Sequence, residues 1–249
     1  MNNKNKNYFG LLIIPLIGVI FSAYQLARIS WNSGPVAHAA ITIGPENNAN
    51  SQPIIQSVGT EHKPDIAMDD HGNSIAVWSR MDDLGANESL YFRKVDIEGN
   101  LIGSSETIIG ATDNISRDIH PAVAMDKDGN YVIAWEFYAN SGTDGEILLS
   151  AYQADGTQIG GSAMVVNTTG NRGSGVETFP DIAIDYDGPD IAGGSTDTPV
   201  IVTWRSTNDG GTTQNIYAQR LDIDFTQTAA LPTLAGSEIT VNTSAGTTN

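Results

Sequence analysis

No cysteine occurs among the 249 residues. Disulfides, thiolate zinc sites and thiol nucleophiles are therefore excluded. Basic residues are scarce, 12 Lys and Arg against 29 Asp and Glu, for a net charge of −17. Every acidic residue lies after position 45. Such a surface repels nucleic acid and anionic lipid, so no nucleic-acid partner is expected. Solubility is the plainer use of the charge. The only histidines are His38, His62, His71 and His120, and none is paired at metal-ligand spacing. No nucleophile elbow, phosphate loop or zinc motif is present.

One apolar run is long enough to cross a bilayer. Residues 8–27 carry no charge, Lys4 and Lys6 precede them, and Arg28 follows. This asymmetry predicts a cytoplasmic N-terminus and an exported remainder, so the chain is secreted or anchored with its C-terminal part outside. Residues 1–39 read as a hydrophobic helix serving as signal peptide or membrane anchor. Ala37-His38-Ala39 fits a signal-peptidase site but lies far beyond the apolar core, which leaves cleavage and retention both open. Residues 40–60 read as a polar linker, with a possible single strand at Pro53–Ser57.

What remains, residues 61–249, repeats itself. PDIAMDDHGNSIAVWS at Pro64–Ser79 returns as PAVAMDKDGNYVIAWE at Pro121–Glu136, and as PDIAIDYDG then PVIVTWR within Pro180–Arg205. A spacing of 57 residues separates Pro64 from Pro121, Trp78 from Trp135, Leu90 from Ile147 and Gly99 from Gly156. From the second copy to the third, Pro121 to Pro180 is 59, whereas Trp135 to Trp204 is 69. The extra ten residues fall in the Gly/Asp-rich stretch Asp187–Thr198, a lengthened hairpin loop. The copies span about 61–117, 118–176 and 177–249.

Each copy holds four strand candidates. In the first these are Ile66–Met68, opened by Pro64, then Ser74–Trp78, Ser89–Val95 and Thr107–Ile109. Asp/Gly/Asn clusters between them have hairpin chemistry. The third copy has Phe225 in place of the second-turn glycine, so that turn must differ. In Tyr131–Trp135, Tyr131, Ile133 and Trp135 point one way and Val132 and Ala134 the other. Apolar residues on both faces predict a sheet sandwiched between neighbours. Four antiparallel strands per 57 residues, stacked face to face, predict an all-β, β-propeller-like chain of three blades. Three blades do not close a ring. The spacing places a further Pro just past Asn249, so the chain is expected to form an open arc stopping where a fourth blade would begin. The middle unit is expected to be the most buried.

Candidate sites are few. Asp126, Asp128, Asp185 and Asp187 resemble the start of a calcium loop, and Asp69 opens the same turn in the first copy. The twelfth position, where an EF-hand needs Glu, is Phe137, Thr196 or Arg80. Hairpin turns explain these residues without metal, and no cofactor is required. Trp78, Trp135 and Trp204 could stack on sugars, but their place in a doubly buried strand favours core packing. Arg80 and Arg205 follow their tryptophans while the second copy has Glu136, which breaks an arginine cluster of the sialidase kind. Asn87, Asn114, Asn167 and Asn242 open N-glycosylation sequons.

The pattern P-x-[VI]-A-[MI]-D-x-[DH]-G-[NS]…W, followed by LYFRK or IYAQR, then ADG and VVNTT, resembles β-propeller-like repeats of large secreted and surface proteins of bacteria and archaea. The resemblance covers about Glu61–Asn249, departing from it at Asp187–Thr198 and Phe225. It implies an exported, non-catalytic repeat module, often in a longer chain. The main expectation is therefore a binding or structural module with an unidentified extracellular protein or glycan as partner, touching the membrane only through residues 8–27. The alternative is the N-terminal part of a secreted, glycan-acting hydrolase with its catalytic blades beyond Asn249.

Overall fold

The computed structural model describes residues 59–82, 87–110, 116–139, 145–168, 176–188, 196–207 and 214–242. These are all-β, and no helix among them is long and apolar enough to cross a membrane. Residues 1–58, with the apolar run, His38 and the linker strand, lie outside the described residues, as does Asn114.

Among the described residues, thirteen strands form three successive antiparallel units. The first contains β1 (Thr60–Met68), β2 (Ser74–Met81), β3 (Glu88–Val95) and β4 (Leu101–Ile109). The second contains β5 (Arg117–Met125), β6 (Tyr131–Tyr138), β7 (Gly145–Tyr152) and β8 (Met164–Val165). The third contains β9 (Glu177–Ile184), β10 (Thr198–Ser206), β11 (Asn215–Ile223) and two short strands, β12 (Thr233–Leu234) and β13 (Ile239–Thr240), that both pair with β11. Within each unit consecutive strands pair antiparallel, except that β13 pairs back with β11 rather than with β12. Among the described residues, a single parallel bridge between Glu88 and Arg117 joins the first two units edge to edge, and the sheets stay open.

The alternation along β6 decides the packing. Tyr131, Ile133 and Trp135 enter one core with Ile75, Val77, Leu90 and Phe92 of the first unit. Val132 and Ala134 enter a second core with Val200, Val202, Trp204 and Leu221 of the third. The middle sheet is thus covered on both faces, as the sequence predicts, and the three units stack in chain order. At roughly 25 cal/mol per Å² of apolar surface, these two cores dominate the stabilisation.

One expectation is corrected. Pro64, Pro121 and Pro180 do not open their strands, which begin three or four residues earlier. Each sits inside its strand at a β-bulge, where the register shifts between His62 and Asp65, between Ile119 and Ala122, and opposite Thr203 and Arg205. The preceding residues, Lys63, His120 and Phe179, have φ of 53°, 50° and 54°, and they are the only non-glycine residues with positive φ among those described. Proline has no N–H for the ladder, so a strand that keeps it must bulge there.

The third unit departs where its sequence does. The loop between β9 and β10 takes up the insertion, with residues 189–195 outside the described set. The turn after β11 is rebuilt on Asp224, whose carboxylate accepts from Thr226 N. Phe225 swings into the core between the second and third units.

Candidate functional site

Asp69, Asp126 and Asp185 open the turns at one end of the strands. Oδ1 of Asp126 accepts from the backbone N–H of Asp128 and Asn130, and Oδ2 accepts from the Asn130 amide. Asp69 does the same with His71 and Asn73. Burial pushes the Asp69 carboxyl up, but the bonds from Asn73 and His71 outweigh it and hold the group below its ordinary range. Asp185 accepts from Asp187 N, and Asp128 pairs with Lys127 at 2.8 Å. These carboxylates shape turns. Among the described residues, no group of three or more His, Asp or Glu is placed to hold a metal ion. The turns also join the units: Asp70 N–H donates to Lys127 O, and Lys127 N–H donates to Tyr186 O.

The opposite end of the strands carries an ionic belt. Glu88 is buried and lies 2.8 Å from His62 Nε2 and 2.7 Å from Arg117, so it ties the first unit to the second. Glu136 is fully buried, lies 2.7 Å from His120 Nδ1, and accepts from Phe179 N–H and the Tyr138 hydroxyl. It ties the second unit to the third. Burial first, and Glu136 second, raise the Tyr138 phenol well above its usual range, so it stays a donor. Arg80 pairs with Glu61 and Glu106 and lies over Tyr91. Arg205 donates to Thr178 and lies over Phe179. Arg80, two residues after Trp78, and Glu136 and Arg205, each one residue after its tryptophan, thus serve local packing and junctions between units.

The tryptophans behave as core. Trp135 and Trp204 are enclosed between units, and Trp78 is buried beside Tyr91. Trp135 Nε1 donates to Asp118 Oδ1 at 2.6 Å, both groups being buried.

That pair helps line a crevice of about 370 Å³ between the first and second units. Its walls include Phe137, Ser150, Tyr152, Gln158 and Ser162. Gln158 Nε2 donates to Ser150 Oγ, which fixes both side chains. No histidine, lysine or arginine lines it, so its serines have no adjacent base and its single carboxylate is engaged by the indole. The chemistry on offer is hydrogen bonding beside aromatic edges, suited to holding a small hydroxyl-rich molecule.

Sequence reasoning passed over Asp118, although a signal existed. An acidic residue stands three positions before each repeat proline: Glu61, Asp118 and Glu177. Each is anchored to the second strand of its own unit, through Arg80, Trp135 and Ser206 respectively. Two of the sequon asparagines also proved structural. Asn167 Oδ1 accepts from Ile147 N–H and Asn242 Oδ1 from Ile216 N–H, each extending the ladder by one side chain. Asn87 donates to Asp82.

No protein-family model matches the chain, and a comparison with curated proteins finds no match.

Proposed function

We propose that the chain is an exported, non-catalytic, β-propeller-like module that binds or supports partners outside the cell, with residues 8–27 as its export signal or anchor. The observation that carries this reading is the middle unit, a four-stranded antiparallel sheet whose alternate residues enter two separate cores with the preceding and following sheets. Stacking of this kind is how propeller blades bury both faces, so the three units are read as blades of an open arc. The charge asymmetry about residues 8–27 suits an exported surface protein. Partners of this reading are an extracellular protein or glycan, and the inter-unit crevice with its serines, amide and aromatic edges is the natural place for a sugar.

Two reporter fusions after Asn249 test the address. A reporter active only in the cytoplasm should be silent there, and one active only after export should be bright. The reverse pattern overturns the reading. Binding is tested by melting the full-length protein with a panel of neutral mono- and disaccharides: a saturable rise that Gln158→Leu removes supports the crevice as the site.

A further inference from the structure

We infer that the crevice between the first and second units takes an N-acetylated hexosamine, a neutral sugar held chiefly by its acetamido group. This rests on the reading of that crevice as a sugar site and adds the class of sugar.

The polar groups that a ligand can reach there are few. Asp118 and Trp135 are both 0% exposed, and the carboxylate is taken by the indole N–H. Ser150 accepts from the Gln158 amide and is bonded on its other side to the Tyr152 hydroxyl. What remains among the described residues is the Gln158 carboxamide, whose Oε1 and second N–H have no protein partner, and the Ser162 hydroxyl. Gln158 is also held in place. A backbone bridge to Tyr152 fixes where its side chain starts, and the bond to Ser150 fixes where it ends. The crevice thus presents one acceptor and one donor on a single planar amide.

The apolar lining is larger. Phe137, Leu148 and Ala163 face the same space and are only partly buried, packed against the core between the two units. Ile133, on the same sheet face and directly opposite Ser150, is 0% exposed. The sheet is therefore covered beside the crevice and left open within it.

This balance selects the ligand. A plain hexose carries hydroxyls all round its ring, and several would lie against carbon without a partner, which is unfavourable. An acetamido group carries one N–H, one carbonyl and one methyl. Its N–H meets Gln158 Oε1, or its carbonyl meets the free Gln158 N–H, and the methyl lies on Phe137, Leu148 and Ala163. The ring hydroxyls stay at the solvent side, where Gly161 and Ser162 are exposed. A volume of about 370 Å³ suits one such residue. Charge narrows the class further. No lysine, arginine or histidine lines the crevice, so an acidic sugar finds no counter-ion in a chain of net charge −17.

The test is calorimetric titration of the full-length chain in nonionic detergent. The panel is N-acetylglucosamine, N-acetylgalactosamine, glucose, galactose, glucosamine, N-acetylneuraminic acid and N-acetylglycinamide. One N-acetylhexosamine should bind at least ten times more tightly than its parent hexose, and more tightly than glucosamine or the peptide amide. N-Acetylneuraminic acid should not bind. Gln158→Leu, and Gln158→Glu, which keeps the side-chain length but cannot donate, should each weaken the preferred sugar at least tenfold. Plain hexoses that bind as well as the N-acetylhexosamines, and lose binding in Gln158→Leu, would leave the sugar site standing and overturn this inference. Equal binding of the peptide amide or of the acidic sugar, or binding that both variants leave unchanged, would also overturn it. If no sugar on the panel binds, this inference and the sugar reading fall together.

Discussion

Pro121 and Trp135 face each other across a β-bulge, in which His120 and Pro121 together oppose the one tryptophan. Lys63 and Pro64 oppose Trp78 in the same way, and Phe179 and Pro180 oppose Trp204. The bulge is why proline and tryptophan recur together in the repeat: the proline fixes where the ladder breaks, and the tryptophan covers the break. The residue before each proline sits in the left-handed region, which costs a non-glycine residue about 1–2 kcal/mol. Lys63→Gly should therefore leave the melting temperature unchanged or raise it, in spite of the added chain entropy of glycine. Lys63→Val should lower it, because a β-branched residue tolerates that conformation worst. Thermal melts of the two variants beside the parent check the sign of each.

Trp135 carries more than packing. Trp135→Ala removes a buried ring and leaves a cavity, which should cost about 3–5 kcal/mol by denaturant unfolding. Trp204→Ala should approach that cost, because Trp204 lies in the core between the second and third units. Trp78→Ala should cost less, since it lies outside the two cores between units. Trp135→Phe separates the terms: it keeps most of the packing and strips the donor from Asp118, for about 1–3 kcal/mol. Pairing it with Asp118→Asn in a double-mutant cycle should show strong coupling.

Beside that pair, Gly110 is held at φ of 89°, and a Cβ built there would lie 2.5 Å from Asp118 Oδ2. Gly110→Ala should destabilise the protein by about 1 kcal/mol or more, through backbone strain and the displaced carboxylate together. A denaturation midpoint equal to the parent's would contradict this account of the glycine.

How far the sequence carried the structure follows from the physics of each feature. The strand positions, the chain-order pairing and the two-faced burial of β6 were legible, because periodicity reports which residues face a core. The bulges were not. A proline near a strand start has the same composition whether it begins the strand or kinks it, and only the partner strand's register tells the two apart. Phe225 announced a changed turn but not its destination, since a turn residue that dives into a core has no local signature. The partners of Glu88 and Glu136 were illegible for a related reason. Each joins residues far apart in the chain, Glu136 to Phe179 for example, and no spacing rule reaches across units.

The aspartate turns give the next test. Asp126 satisfies two backbone N–H groups and one side-chain amide. Asp126→Ala should cost about 1–3 kcal/mol whether or not calcium is present. The parent protein should melt at the same temperature in calcium and in chelator, because the carboxylate oxygens are committed to the turn. A rise of several degrees with calcium would show ligands beyond those turn bonds.

Glu177 makes stability depend on pH. It is buried, and its carboxyl is pushed above the ordinary value of 4.5 by burial first, against the bond from Ser206, with Glu238 and Glu146 adding repulsion. The folded chain therefore holds this proton more tightly than the unfolded chain does. The stability contributed by the neutral form is fully present below pH 4.5 and is lost as pH rises through the elevated folded value. Glu177→Gln keeps an acceptor for the Ser206 hydroxyl and removes the buried charge. The variant should be more stable than the parent at pH 7 to 8, with the advantage shrinking as the pH falls through the elevated value and closing near pH 4. Melting both proteins across that range checks the sign. An advantage independent of pH would assign the effect to packing, and a loss at neutral pH would mean that the ionised carboxylate is stabilised by its surroundings.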